Sequence, residues 1–106
     1  MKSKVVVVLC STDEQVIRTG IMYGTNALKK NWFEDVKFII FGGGQEVLLK
    51  NADLLNSLLE FKPLACKFVA DEKGIGDILS NKGLEVIYVG ETLSNLINEG
   101  WTPLVF

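Results

Sequence analysis

Apolar and polar residues follow one another along this chain in blocks. Val5-Val6-Val7-Val8-Leu9-Cys10 is continuously apolar and β-branched, the pattern of a strand buried on both faces of a parallel sheet. The polar run Ser11-Thr12-Asp13-Glu14 comes next and predicts a capping box, with Ser11 as N-cap and Glu14 three positions on. Val16, Ile17, Ile21 and Leu28 then recur at helical spacing. Gly20 and Gly24 lie near that stripe, where missing side chains let a helix pack close to a sheet. Their GxxxG spacing does not mark a membrane helix, because Arg18, Asn26, Lys29 and Lys30 share the segment.

The second apolar strand, Val36 to Phe41, ends in Gly42-Gly43-Gly44 and leads into a helix expected from about Gln45 to Phe61, with a break near Asn51. Its apolar positions (Val47, Leu48, Leu49, Leu54, Leu55, Leu58, Leu59) cover more than one face, whereas one sheet buries a single stripe. The surplus points to a contact with another subunit. Strand three runs from Leu64 to about Lys67, and helical residues continue to Leu79 with a hesitation at Gly74-Ile75-Gly76. Glu85 to Val89 is strand four, Glu91 to Glu99 a short helix stopped by Gly100, and Trp101 to Phe106 strand five. Pro103 assigns that last strand to a sheet edge, since proline cannot donate to a neighbour. Strands alternating with helices over residues 1–106 predict one domain: a three-layer α/β/α sandwich on a five-stranded parallel sheet.

Composition narrows the function. Apolar residues make up 48% of the 106 positions and charged residues 23%, with a net charge of −2. The basic residues are scattered, so no patch suits nucleic acid or a lipid surface. The apolar run after Met1-Lys2-Ser3-Lys4 is too short for a signal peptide's apolar region or a membrane span, so a cytoplasmic protein is expected. There is no histidine, the usual acid-base residue. The two cysteines form no CxxC and imply neither a disulfide framework nor a metal site.

Cys66 is therefore the leading candidate for chemistry. It ends strand three, at the carboxyl edge where α/β folds place ligands, and a helix follows at once. That helix start and Lys67 are both expected to favour thiolate, the reactive form. Cys10, in a run of valines, reads foremost as a core residue, although it too ends a strand and could face the cleft. For Cys66 the residues leave a reactive thiol and a packed one open. The thiols approach disulfide range only if strands one and three are adjacent; one intervening strand puts them about 10 Å apart.

Other motifs are weaker. Gly42-Gly43-Gly44 lacks the lysine and hydroxyl of a phosphate loop and puts Val47 where GxGxxG needs glycine, so it reads as a tight turn with cleft-lining backbone. Ser11 and Thr12 are too little for a flavin phosphate loop and are explained by the helix cap. A phosphoreceiver domain needs aspartate where Cys66 stands. Glu46, Asp71, Glu72, Asp77 and Glu91 fall near expected helix starts, where negative charge offsets the macrodipole.

Four features, in order, carry a family resemblance over essentially the whole chain. They are Val5–Cys10 with Gly20, Gly24 and Ala27, the run Phe41-Gly42-Gly43-Gly44-Gln45-Glu46-Val47, Ala65-Cys66 with Gly74-Ile75, and Val86–Val89 with Gly100-Trp101. Together they resemble the DsrE-like (DsrE/DsrF/TusD) sulfur-relay family. The resemblance implies sheet order 4-3-2-1-5, which separates Cys10 from Cys66, and assembly into trimers or hexamers. It also implies a persulfide carried at the place of Cys66 and exchanged with partner proteins, with no cofactor. Lys67 is then expected to support the thiolate, while Cys10, Ser11, Gly42, Gly43 and Gly44 line the cleft. Two alternatives stand beside it: an oligomeric binding or scaffold module with a packed Cys66, and a nucleotide or flavin pocket at the same edge.

Overall fold

The computed structural model describes residues 2–106. Among them are strands β1 (Lys4–Leu9), β2 (Asp35–Ile40), β3 (Leu64–Cys66), β4 (Glu85–Ile87) and β5 (Thr102–Val105), in the order β4-β3-β2-β1-β5 and all parallel. The connecting helices are α1 (Glu14–Lys29), α2 (Gly44–Leu49), α3 (Ala52–Leu59), α4 (Lys67–Lys73), α5 (Gly76–Asn81) and α6 (Val89–Asn98). This is the expected α/β sandwich with a five-stranded parallel sheet. Pro103 sits on β5, opposite Val6, at the edge where a missing donor costs no ladder bond.

The uninterrupted valine run is explained by two apolar layers. Val5, Val7 and Leu9 face one side with Phe38 and Ile40, under Ile17 and Ile21 of α1 and Leu48, Leu55 and Leu58 of α2 and α3. Val6 and Val8 face the other side with Ile39 and Cys66, under Val89 and Leu96 of α6 and Trp101. Alternation is present, but both faces are buried. Gly24 lets α1 approach closely, since a Cβ there would lie 2.6 Å from the Phe38 ring.

Two local expectations are corrected and one is refined. The cap of α1 is Asp13, whose Oδ1 accepts from the Gln15 and Val16 amides at 2.7 and 3.4 Å. Ser11 stands one step outside, its Oγ accepting from the Asp13 amide at 3.0 Å. The break at Asn51 divides the long helix into α2 and α3, and this reorientation lets Val47, Leu48, Leu54, Leu55 and Leu58 all be buried within one chain. Leu49 and Leu59 of the same stretch stay partly buried. Strand four stops at Ile87, because α6 begins at Val89, two residues before the expected start.

Candidate functional site

The carboxyl edge of the sheet is built by three turns. After β1 the chain is held by β5, with the Cys10 and Ser11 amides donating to the Phe106 carbonyl at 2.8 and 3.1 Å. After β2 the glycine turn folds back onto that segment. Gly42 takes φ +49°, a left-handed conformation that favours glycine. A Cβ on Gly44 would lie 2.3 Å from the Leu9 carbonyl oxygen, a backbone atom that cannot move aside. The third turn joins β3 to α4 at Cys66.

These contacts bring Gly42 against Cys10, Gly43 against Thr12 and Gly44 against Leu9, with Ser11 following Cys10 in the same segment. Cys10 is half-buried and not a core residue, because β1 ends at Leu9 and the chain leaves the sheet before it. Gly43 lines a cavity of about 310 Å³ with Thr12, Glu14, Glu46, Val47, Lys50 and Asn51. Two carboxylates face one lysine there, so the cavity does not carry the charge of a phosphate site. Glu46 also pairs across to Lys73 of α4, whose ammonium holds its carboxyl below the usual carboxylate range.

Cys66 is the last residue of β3 and the N-cap of α4, so the expected junction is present. Its side chain is 4% exposed and belongs to the apolar layer with Val6, Val8, Ile39 and Val89. Lys67 does not direct its charge at the thiol. Its Nζ donates to Asp71 Oδ2 at 2.9 Å and lies 5.8 Å from the Tyr88 ring centre. The hydrogen bond and charge of Asp71 hold the ammonium above the ordinary lysine range. Asp71 and Glu72 accordingly lie in the later part of α4, whereas Glu46, Asp77 and Glu91 do occupy first turns. Beside the junction, Phe68 and Tyr88 are 62% and 60% exposed.

Cys10 directly follows β1 and Cys66 ends β3, and β2 lies between those two strands, whose usual spacing of about 10 Å across an intervening strand is beyond disulfide reach. Both are free. No cluster of metal-ligating side chains occurs among the described residues, and no described helix is long and apolar enough to cross a membrane.

Gln45 is the residue that motif reading passed over. It is fully buried, and its Nε2 donates to the Cys66 carbonyl at 2.9 Å and lies 3.5 Å from the Ile40 carbonyl. The β2–β3 ladder covers only Ile39↔Leu64 and Ile40↔Ala65, and the Gln45 amide continues it past the strand ends. Its position three residues before buried Leu48, on the same helical face, was the available signal.

No protein-family model matches the chain, and no curated protein matches it either. Among solved structures it is similar to a conserved protein of unknown function, BT1422, from Bacteroides thetaiotaomicron. The TM-score is 0.84 at 20% identity, over 98% of this chain and 95% of that one. The likeness establishes the fold.

Proposed function

We propose that this chain is a sulfur-carrying domain of DsrE-like type in which Cys66 takes up sulfane sulfur. The observation that carries the reading is the placement of Cys66. A lone thiol ends an inner strand at the carboxyl edge, its carbonyl fixed by a buried side chain from the neighbouring βα turn. The four-part family resemblance adds to it. Histidine is not required, because thiol–persulfide exchange needs only a thiolate and a sulfur leaving group. The Cys66 thiolate attacks the outer sulfur of a hydropersulfide donor, R–S–SH. A Cys66 S–S bond forms, the donor S–S bond breaks, and the donor leaves as R–S⁻. Transfer onward is the same displacement with Cys66 as leaving group.

The test is intact mass after treatment with a hydropersulfide donor. The reading expects one added sulfur atom on the wild type and none at this site on Cys66→Ser. An unmodified wild type, or equal gain on Cys66→Ser, would remove the reading.

One observation favours a second reading, an oligomeric binding module whose Cys66 is only a packing residue. Cys66 is 4% exposed among aliphatic side chains, while Phe68, Tyr88, Ile97 and Val105 present apolar surface. That reading expects Cys66 to resist alkylation until the chain unfolds, and a concentration-dependent mass in light scattering. Nothing in the charge of the glycine-turn cavity favours a nucleotide or flavin.

A further inference from the structure

The sheet is narrower at its amino end than at its carboxyl end. β1 lies along all of β2, from Lys4↔Asp35 to Leu9↔Ile40, but β3 joins β2 only at Ile39↔Leu64 and Ile40↔Ala65. Asp35–Phe38 is therefore paired on one side and open on the other. The Phe41 amide donates to the Leu9 carbonyl at 2.9 Å, so odd-numbered residues of β2 turn their main-chain groups to β1 and even-numbered ones to the open side. Ile40 is served by β3. The Phe38 amide and the Val36 carbonyl face no strand. The Val36 amide is held by Asp35, whose Oδ1 accepts from it at 2.8 Å, in the place of a neighbouring strand's carbonyl. The chain entering β3 keeps this notch open. Lys62 takes φ +53°, a left-handed conformation that side chains rarely adopt, and Pro63 after it has no amide to offer. β3 begins only at Leu64, with β4 level with it at Glu85. A cavity of about 450 Å³ lies along the open edge, its apolar side made by Phe38 and Phe61, whose rings are 5.8 Å apart. Five charged residues also line it: Asp35, Glu60, Glu85, Lys37 and Lys62. None of the three carboxylates is ion-paired among the described residues. Lys37 is drawn to the Trp101 ring, 5.5 Å from its centre, and Lys29 of α1 rests 5.9 Å from the Phe61 ring centre. The rim is left acidic.

We infer that this notch is a binding site for an extended, basic segment of another protein, which adds as a short strand beside Asp35–Phe38. The chemistry of the ligand follows from what the edge offers. An amide donor at Phe38 and a carbonyl acceptor at Val36 match the main chain of an extended peptide, and the open stretch has room for roughly 13 Å of it. Apolar side chains on one face of the added strand meet Phe38 and Phe61. Its basic residues meet Asp35, Glu60 and Glu85, and the same rim repels an acidic segment. On addition, the peptide's carbonyl replaces the Asp35 carboxylate on the Val36 amide. The outer edge of the sheet differs: β5 is blunted by Pro103, whereas Asp35–Phe38 carries no proline. The notch lies at the opposite end of the strands from Cys66, so the inference stands apart from the sulfur-carrier reading.

The experiment titrates the isotope-labelled chain with a capped peptide of about five residues that alternates lysine and valine, followed by amide chemical shifts. Saturable shifts are expected at the Val36–Phe38 amides, with those of Val5–Val8 much less affected. A glutamate–valine peptide of the same length should bind at least about tenfold more weakly. N-methylation of every second residue should weaken lysine–valine binding at least about fivefold in one of its two phases, because only one phase turns its amides to β2. Glu60→Lys and Glu85→Lys, both at exposed positions, should each weaken lysine–valine binding about threefold or more at unchanged melting temperature. The peptide comparisons decide on the wild type alone should either variant not fold. Absence of shifts at Val36–Phe38 with millimolar peptide, or equal binding of the two peptides, overturns the inference. Unchanged binding in both N-methylated phases also overturns it and leaves only a charged surface. Shifts of the same amides that grow with protein concentration, without peptide, would assign the notch to a second copy of this chain and overturn it as well.

Discussion

The two halves of the sheet are built differently. β1 and β2 pair over six residues, Lys4↔Asp35 to Leu9↔Ile40, with Val6, Val7, Ile39 and Ile40 fully buried between helices. β3 and β4 have three residues each, and β3 joins β2 through only two register pairs. The first half is held by ladder and core. The second, which carries Cys66, is fastened to the first with help from side chains of α2, through Gln45 to the Cys66 carbonyl and Glu46 to Lys73. A short ladder secured by a few polar ties opens locally at lower cost than a long one under a full core. The difference suggests how a thiol that is 4% exposed in the closed fold becomes reachable.

Breaking the strong half gives the largest effect. Phe38→Ala empties a site that is 1% exposed and packed against Gly24, and is expected to cost about 3–5 kcal/mol in denaturant unfolding. Gly44→Ala, which drives a methyl group into the Leu9 carbonyl, should cost about 1–3 kcal/mol or more by the same measurement. The comparison is sharpened by hydrogen exchange. Amides of Leu64–Cys66 and Glu85–Ile87 should exchange at least about tenfold faster than those of Val5–Leu9 and Val36–Ile40. Uniform protection across the sheet would remove the proposed route to the thiol.

The smallest effect is on the tie between α2 and α4. Glu46 has a lowered pKa in the fold, so its contribution is complete above the ordinary carboxylate pKa and is lost as pH falls through the lowered value. Glu46→Gln should therefore lower the melting temperature by no more than a few degrees at neutral pH, and the difference from wild type should vanish in acid. A difference that grows on acidification would contradict the sign.

The fold was legible because its signals were strong and local. A β-branched run between polar caps states a buried strand, and Pro103 states an edge. The boundaries that shifted did so where two local signals competed, as when Asp13 displaced Ser11 as the cap of α1. The break near Asn51 was legible too, but not that the turn there redirects the second half of residues 47–59 so that Leu54, Leu55 and Leu58 are buried in the same chain. The position of Cys66 was readable, but its surroundings were not. Lys67 is adjacent in sequence, yet one helical turn brings Asp71 within reach and claims its charge. Gln45 was hidden because no motif names it, and its partner is a backbone carbonyl twenty-one residues away.

The most direct measurement is the site of sulfur uptake in Cys10→Ser, which leaves Cys66 as the sole thiol. After a hydropersulfide donor and removal of excess reagent, peptide mapping should find one reducible sulfur on the Cys66 peptide of folded protein. A Cys66 that stays unloaded in the native chain, yet loads once the chain is unfolded, would contradict the account and leave the thiol as part of the core.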